Sequence, residues 1–202
     1  MIDDRESALM NFLRRNRLVQ RILSLPLFVV LQLVINEIMP YFHRGERILT
    51  IGAGTCLIDR ELRKQGLDVT SLDVKNTSLV KEIDPVIYDG NKIPFKDKEF
   101  DVAVIFYVLH HTKDPDKVLL EAKRVARRLF IKEDLYTSSW QKRLVFLVDS
   151  ILNLEFAGHP HSNRKDEEWQ DTFKRLGLRM VESKVEYYML FAPTGKYFLD
   201  AE

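Results

Sequence analysis

Ten consecutive residues, FDVAVIFYVL at 100–109, are apolar almost without interruption. A strand with one solvated face alternates apolar and polar residues, whereas this run is typical of a strand buried on both faces. Such burial requires helices on both sides of the sheet. A further apolar run at 47–52 and a strand-like segment at 128–135 alternate with segments of helical pattern. The sequence therefore predicts an α/β fold with a doubly wound, mostly parallel sheet.

The predicted elements begin with two helices and end with a hairpin. Helices are expected over 5–23, 25–39, 55–64, 114–127, 139–154 and 165–176. Strands are expected over 47–52, 68–74, 85–90, 100–109, 128–135, 179–190 and 196–201. The segment APTG separates the last two strands, and its Pro193 and Gly195 suit a tight reversal. This pattern predicts a C-terminal antiparallel hairpin at the edge of the sheet.

Charge and cysteine content favour a cytoplasmic enzyme or binding protein. The 31 Lys and Arg residues nearly balance the 30 Asp and Glu residues, so the net charge of +1 gives no reason to expect nucleic-acid binding. The single cysteine, Cys56, excludes an intrachain disulfide and fits a reducing compartment. The start MIDDRESALM is acidic where a secretory signal would be basic.

The first 40 residues predict a helical extension that acts as a lid, followed by one domain over 41–202. The apolar segment 25–35 is shorter than the roughly 20 residues of a bilayer crossing, which favours a buried helix. The preceding helix has one apolar face and carries arginines over 14–21. Peripheral contact with an anionic membrane is the alternative to packing on the domain.

A glycine turn follows the first predicted strand. Gly52 and Gly54 allow a sharp bend and a close approach of a ligand to the backbone, and the next helix offers free N–H groups. Asp73 ends the second strand 21 residues after Gly52, close to the roughly 20 expected for an acid that binds ribose hydroxyls. Leu57 replaces the last glycine of a dinucleotide fingerprint, and no P-loop lysine follows.

Four further motifs occur in order after this turn. They are Asp89-Gly90, Ile93-Pro94-Phe95, Phe100-Asp101 and Leu109-His110-His111. With the glycine turn and Asp73, the set resembles the class I S-adenosylmethionine-dependent methyltransferases, in particular the small-molecule group called methyltransferase type 11. The resemblance covers 47–135, and the segment EEWQDTFKRLG with the terminal hairpin is similar to the C-terminal part of that group. It implies a Rossmann-like fold.

The resemblance also implies an activity and a cofactor site. The activity is methyl transfer from S-adenosylmethionine to a small-molecule acceptor, with S-adenosylhomocysteine as product. The implied contacts are Gly52, Ala53 and Gly54 with the methionine part, Asp73 with the ribose, Val74, Asp89 and Gly90 with the adenine, and Phe106 and Tyr107 along the methionine channel. Thr50 departs from the pattern, because the family has an acid there that helps to hold the ammonium. Cys56 departs as well, in place of a third glycine.

The histidines and the acids after the fifth strand are the remaining candidates. His111 is a candidate general base for an acceptor that must lose a proton, with a role in the pocket wall as the alternative. Glu133 and Asp134 either orient the acceptor or simply solvate the end of a strand. His159 and His161 lack the spacing of a metal site, so no metal is expected.

Two other function classes remain open from the sequence. A methyltransferase fold that has lost turnover and acts as a binding partner would explain Thr50 and Cys56. A membrane-associated methyltransferase acting on a lipid or quinone would explain the basic amphipathic segment. The sequence leaves the acceptor, the atom methylated and the oligomeric state open.

Overall fold

The computed structural model describes residues 31–137, 162–189 and 192–202. Seven strands form one sheet in the order β3-β2-β1-β4-β5-β7-β6. Their bounds are β1 Arg47–Ile51, β2 Asp68–Asp73, β3 Val86–Ile87, β4 Phe100–Phe106, β5 Ala126–Asp134, β6 Arg179–Met189 and β7 Ala192–Asp200. The described helices are α1 at 31–38, α2 Leu57–Lys64, α3 Pro115–Val125 and α4 Asp166–Arg175, with short 3-10 turns at Met39–Tyr41 and Leu109–His111.

The predicted directions of the strands are confirmed. Strands β1 to β5 pair in parallel, while β7 runs antiparallel between β5 and β6. The sheet is thus mostly parallel, with one strand of the terminal hairpin reversed. Helices on both faces explain why β1, β4 and β5 are buried at most of their positions.

Two hydrophobic cores cover the two faces of the sheet. On one face, Leu49, Ala103 and Ile131 share a core with α3 and α4. On the other face, Ile48, Val104 and Phe130 share a core with α1 and α2. The side chains alternate between faces because strand residues point in opposite directions in turn. The helices on the two faces leave the carboxyl ends of β1, β2 and β4 uncovered at one edge of the sheet.

The described part of the N-terminal extension packs on the sheet. Ile35 and Ile38 of α1 are buried in the second core, and Glu37 Oε2 lies 2.7 Å from Lys132 Nζ on β5. Within the described residues, no helix combines the length and apolarity needed to cross a membrane. The predicted helices at 5–23 and 139–154, the start of 25–39, and both His159 and His161 lie outside the described residues. The division at residue 40 and the lid remain predictions.

The predicted reversal at APTG is wrong. Residues 192–195 belong to β7, where Pro193 accepts a hydrogen bond from the Leu135 N–H at 2.8 Å and Gly195 pairs with both Glu133 and Val185. Gly195 serves packing, because a Cβ there would overlap the Tyr197 ring. Proline and glycine therefore mark a strand with a close packing contact here, not a turn.

The Lys98 side chain connects the loop before β4 by hydrogen bonds to the end of α3, the start of β5 and Ala201. Its Nζ donates to the carbonyl oxygens of Lys123, Ala126 and Ala201 at 3.0, 3.1 and 2.7 Å. Lys98→Met keeps the length of the side chain and removes all three donors. We expect the free energy of unfolding in urea to fall by at least about 2 kcal/mol, because one hydrogen bond to a charged group contributes about 1.5–3 kcal/mol net. Lys96→Met, at an exposed position of the same loop, should change it by less than about 0.5 kcal/mol.

Candidate functional site

A groove of about 750 Å³ lies across the carboxyl ends of β1, β2 and β4. Ligands of open α/β sheets bind in this position, outside the strand ends where the chain leaves for opposite faces. The groove brings together residues that are up to 66 positions apart in the chain, between Gly52 and Val118. Most of the predicted cofactor residues line it: Gly52, Gly54, Asp73, Val74, Asp89, Gly90, Phe106 and Tyr107.

The glycine turn is built by hydrogen bonds to β2. The N–H groups of Gly52 and Ala53 both donate to the Leu72 carbonyl, at 2.9 and 3.1 Å. Gly52 has φ +74°, and a Cβ there would overlap the side chain of Val108, so only glycine allows this approach of the turn to the end of β4. At Gly54, with φ +51°, an added Cβ would meet no atom within 4 Å. The turn therefore presents open space at Gly54.

Asp73 is held in a fixed orientation at the end of β2. Its Oδ2 accepts a hydrogen bond from the Gly54 N–H at 2.8 Å, and its Oδ1 accepts from the N–H groups of Val74 and Lys75 at 2.7 and 3.2 Å. The residue is 9% exposed and faces the groove. A carboxylate offers about four acceptor sites, and the backbone occupies two at Oδ1 and one at Oδ2, so Oδ2 is preorganised to take a hydroxyl donor.

Asp89 lies on the other side of the same groove in an exposed turn. Its Oδ1 accepts from the N–H groups of Asn91 and Lys92, at 2.8 and 3.2 Å. The Asn91 N–H is the main reason that the pKa of Asp89 lies below its usual range. Gly90, with φ +75°, brings the backbone close to Val74, since an added Cβ would lie 3.5 Å from Val74 Cγ1. Val74 itself is 55% exposed and forms an apolar patch on the groove.

Thr50 and Ala53 are predicted site residues that do not line the groove. Thr50 is 3% exposed, and its strand position places it in register with Ser71. The Asp59 carboxyl of α2 accepts a hydrogen bond from the Ser71 hydroxyl, and it is also buried. Burial raises the pKa of Asp59, while the Ser71 and Thr50 hydroxyls oppose that rise. A carboxyl group, that of Asp59, thus lies beside Thr50, although Thr50 itself replaces the acid of the family pattern.

Cys56 packs away from the groove. It is 1% exposed and shares a small core with Val80 and Ile83. Its backbone is left-handed, at φ 58° and ψ 14°, which is a conformation that glycine adopts without strain. The helix accordingly begins at Leu57, two residues later than predicted. The cysteine keeps the backbone geometry of a glycine, and the predicted packing role is confirmed.

The end of β4 and the turn after it form another wall of the groove. Phe106, the last residue of β4, lines the groove together with Tyr107, Val108 and His111 of the turn. Tyr107 has φ +55°, an unusual value for a residue with a side chain, and such strained residues often occur at functional sites. The His111 ring lies 4.0 Å from that of His110, centroid to centroid. His111 is therefore available at the groove, as predicted, while His110 is buried behind it.

Glu133 does not solvate the end of a strand and does not line the groove. It is fully buried, and its Oε1 accepts hydrogen bonds from the N–H groups of Val108 and Leu109 at 2.8 and 2.7 Å. Its Oε2 lies 2.6 Å from His110 Nδ1. Both alternatives considered from the sequence are therefore wrong for Glu133, because the neighbouring turn covers the strand end and takes up the carboxylate.

Other groove residues escape prediction from the sequence. Tyr88, Asn91 and Lys117 line the groove, and Lys117 Nζ donates to Asn91 Oδ1 at 2.8 Å. Only the Asp-Gly-Asn turn gives a local signal for Asn91. Among the described residues, no group of three His, Cys, Asp or Glu side chains is arranged to hold a metal ion.

Comparison with known proteins agrees with the fold and the order of motifs. Residues 49–129 match a family model described as a methyltransferase domain. A demethylmenaquinone methyltransferase from Renibacterium salmoninarum is 32% identical over 90 residues, which are 41% of this chain and 38% of that protein. The chain thus spans well under half the length of the curated relatives it matches.

Two solved structures share the fold over most of the chain. A SAM-dependent methyltransferase from Aquifex aeolicus has a TM-score of 0.58 at 19% identity and covers 84% of this chain and 89% of its own. Magnesium protoporphyrin IX methyltransferase from Synechocystis, solved with bound SAH, has a TM-score of 0.61 at 13% identity, with 92% and 88% covered. The fold and the matched region agree with the predicted resemblance: residues 49–129 are similar to a methyltransferase domain, and the sheet is that of a Rossmann-like fold.

Proposed function

We propose that this protein transfers the methyl group of S-adenosylmethionine to a small-molecule acceptor and releases S-adenosylhomocysteine. The observation that carries this proposal is the groove at the ends of β1, β2 and β4, where Gly54, Asp73 and Phe106 meet. The match of 49–129 to a methyltransferase domain supports the same function.

The groove suits the donor at three places. Open space at Gly54 leaves room for the methionine part beside the backbone. The oriented carboxylate of Asp73 would accept hydrogen bonds from the ribose hydroxyls. The exposed side chain of Val74, opposite Gly90, would pack on the adenine face, with Asp89 accepting from the adenine amine. Together they support a nucleoside with a charged tail as ligand.

Positioning of the two reactants would supply most of the rate acceleration. When bound, S-adenosylmethionine supplies a methyl group on a positively charged sulfur, so that the acceptor atom forms a bond to carbon while the carbon–sulfur bond breaks. The turn that carries Phe106 and Val108 would keep this end of the groove apolar and restrict water. His111 would take the proton where the acceptor must lose one, and would serve as a wall where it need not.

A reduced quinone is the first acceptor to test. The supporting observation is that a relative 32% identical over the matched region is a demethylmenaquinone methyltransferase. This acceptor would also fit the alternative interpretation of the basic amphipathic pattern at 14–21, in which that segment contacts an anionic surface. Co-sedimentation with anionic vesicles at low salt tests that contact, and indifference to the vesicles would argue against a membrane-bound acceptor.

Isothermal titration calorimetry of the full chain tests the donor site. We expect S-adenosylmethionine and S-adenosylhomocysteine both to bind in the micromolar to submillimolar range that is usual for enzyme substrates. Methyl transfer from radiolabelled S-adenosylmethionine to demethylmenaquinol, reduced in place, then tests the acceptor. Absence of binding at millimolar ligand would overturn the donor site. Binding without transfer to any acceptor would favour a partner protein that has lost turnover.

A further inference from the structure

A buried glutamate–histidine pair, Glu133 and His110, joins the end of β5 to the turn after β4. Glu133 and His110 are 0% and 1% exposed, and Glu133 Oε2 lies 2.6 Å from His110 Nδ1. The other oxygen of Glu133 accepts two backbone hydrogen bonds, from Val108 and Leu109. One carboxylate therefore holds three successive residues of the turn.

The Glu133 carboxylate would fix the tautomer of the His110 ring. Both backbone N–H groups donate to Oε1, so that oxygen carries no hydrogen, and a carboxylate can also accept a hydrogen bond at Oε2. With Oε2 as acceptor, His110 Nδ1 carries the hydrogen between the two atoms, in the way that a carboxylate commonly fixes the tautomer of a neighbouring imidazole. The ring orientation is fixed by the same contact, and the His111 ring packs against it at 4.0 Å.

The turn that Glu133 holds needs such support. Tyr107 has φ +55°, and a left-handed residue with a side chain costs about 1–2 kcal/mol relative to the ordinary conformation. On one side of this residue Phe106 ends β4, and on the other side Val108 lies against Gly52. Neither Glu133 nor His110 lines the groove, yet both hold the wall that does.

We propose that Glu133 and His110 are positioning residues that set the methionine-side wall of the groove through the backbone of the turn after β4. This inference rests on the proposed binding of S-adenosylmethionine. The adenosine side is formed by Asp73, Val74 and Asp89, which belong to β2 and the loop after β3 and have no contact with this pair among the described hydrogen bonds. Loss of the pair should therefore weaken one end of the site and spare the other.

Glu133→Gln tests the pair with little change of shape. The amide oxygen can keep the two bonds from the backbone, while the amide nitrogen would face His110 Nδ1 as a donor. We expect the affinity for S-adenosylhomocysteine, measured by calorimetry, to fall by about fivefold or more, while that for 5′-methylthioadenosine, which lacks the amino-acid part, stays within about twofold. Glu61→Gln is the matched control, because Glu61 is a buried glutamate on α2 that pairs with Lys64 outside the groove.

The tautomer of His110 provides a second test of the pair, independent of ligand affinity. In ¹⁵N-edited NMR spectra, His110 of the wild type should carry its hydrogen on Nδ1, and Glu133→Gln should move it to Nε2. His110→Asn, which can still donate to Glu133, should retain more S-adenosylhomocysteine affinity than His110→Leu, which cannot. Since all ligands are compared with the wild type, failure of the wild type to bind either one would overturn the proposed function instead.

Two results would overturn the inference itself. Equal losses for S-adenosylhomocysteine and 5′-methylthioadenosine in Glu133→Gln would mean that the pair supports the whole domain and not one wall. Unchanged affinity for both ligands, with the tautomer moved, would mean that the turn keeps its position without the pair. A urea titration of each variant separates these results from global unfolding.

Discussion

Gly54→Ala should weaken the binding of S-adenosylmethionine by about a hundredfold, as measured by calorimetry. An added Cβ at this position meets no atom of the protein within 4 Å and instead enters the open space of the groove. A methyl group in the path of the donor would force a shift of the ligand or the turn, at a cost of about 3 kcal/mol. The domain should still fold, because the protein already tolerates a side chain at φ 58° in Cys56.

Gly45→Ala is the control for the backbone cost. Gly45 is also left-handed, at φ +85°, and an added Cβ there again meets nothing within 4 Å, but the residue does not line the groove. Both variants should lose about 1 kcal/mol or slightly more of unfolding free energy. Only Gly54→Ala should lose affinity. Equal affinities in the two variants would show that the donor does not pass over Gly54.

Asp73→Ala should reduce the affinity for S-adenosylmethionine by at least tenfold, and by more than about a hundredfold if both ribose hydroxyls donate to the carboxylate. Hydrogen bonds to a charged group contribute about 1.5–3 kcal/mol each, and two of them account for the larger value. The variant also removes the acceptor for the Gly54 N–H, which loosens the turn itself. Both effects lower affinity, so calorimetry of this variant alone does not separate them.

Asp73→Asn separates the two effects. The amide oxygen can still accept from the backbone, whereas the charge and one acceptor are lost. An affinity between those of the wild type and Asp73→Ala would support the ribose contact. Asp68→Ala, at the exposed opposite end of the same strand, should bind like the wild type. If Asp73→Ala also bound like the wild type, the ribose assignment would be wrong.

The predicted sheet follows from local patterns. The apolar runs of β1 and β4 require helices on both faces of the sheet, and the parallel pairing of β1, β4 and β5 is the outcome. The left-handed conformations at Gly52, Gly54 and Gly90 likewise follow from the freedom of glycine at a turn. The same reasoning failed at APTG, because the close packing of Gly195 on Tyr197 depends on a neighbour that the local pattern does not reveal.

The candidate site was likewise predicted from the sequence only in part. Spacing placed the glycine turn and Asp73 together, since the carboxyl ends of adjacent parallel strands meet at one edge, and the family resemblance added Asp89. The position of Thr50 under α2 and the packing of Cys56 on Val80 needed the coordinates. Thr50 and Cys56, the two departures from the family pattern, both lie beneath the groove. We therefore expect them to act on the groove through their support of the glycine turn.

The sequence by itself determined the alternation of strands and helices, the glycine turn, and the acidic residues at the carboxyl edge of the sheet. Each of these depends on strand burial, turn sterics or strand-end geometry, which act over a few residues. Tertiary structure alone decided that Glu133 turns inward to hold Val108 and Leu109, and that Lys98 reaches the carbonyl of Ala201. These contacts join residues 24 to 103 positions apart. Their partners are set by how the layers pack, and a buried donor or acceptor takes whichever partner that packing brings within reach.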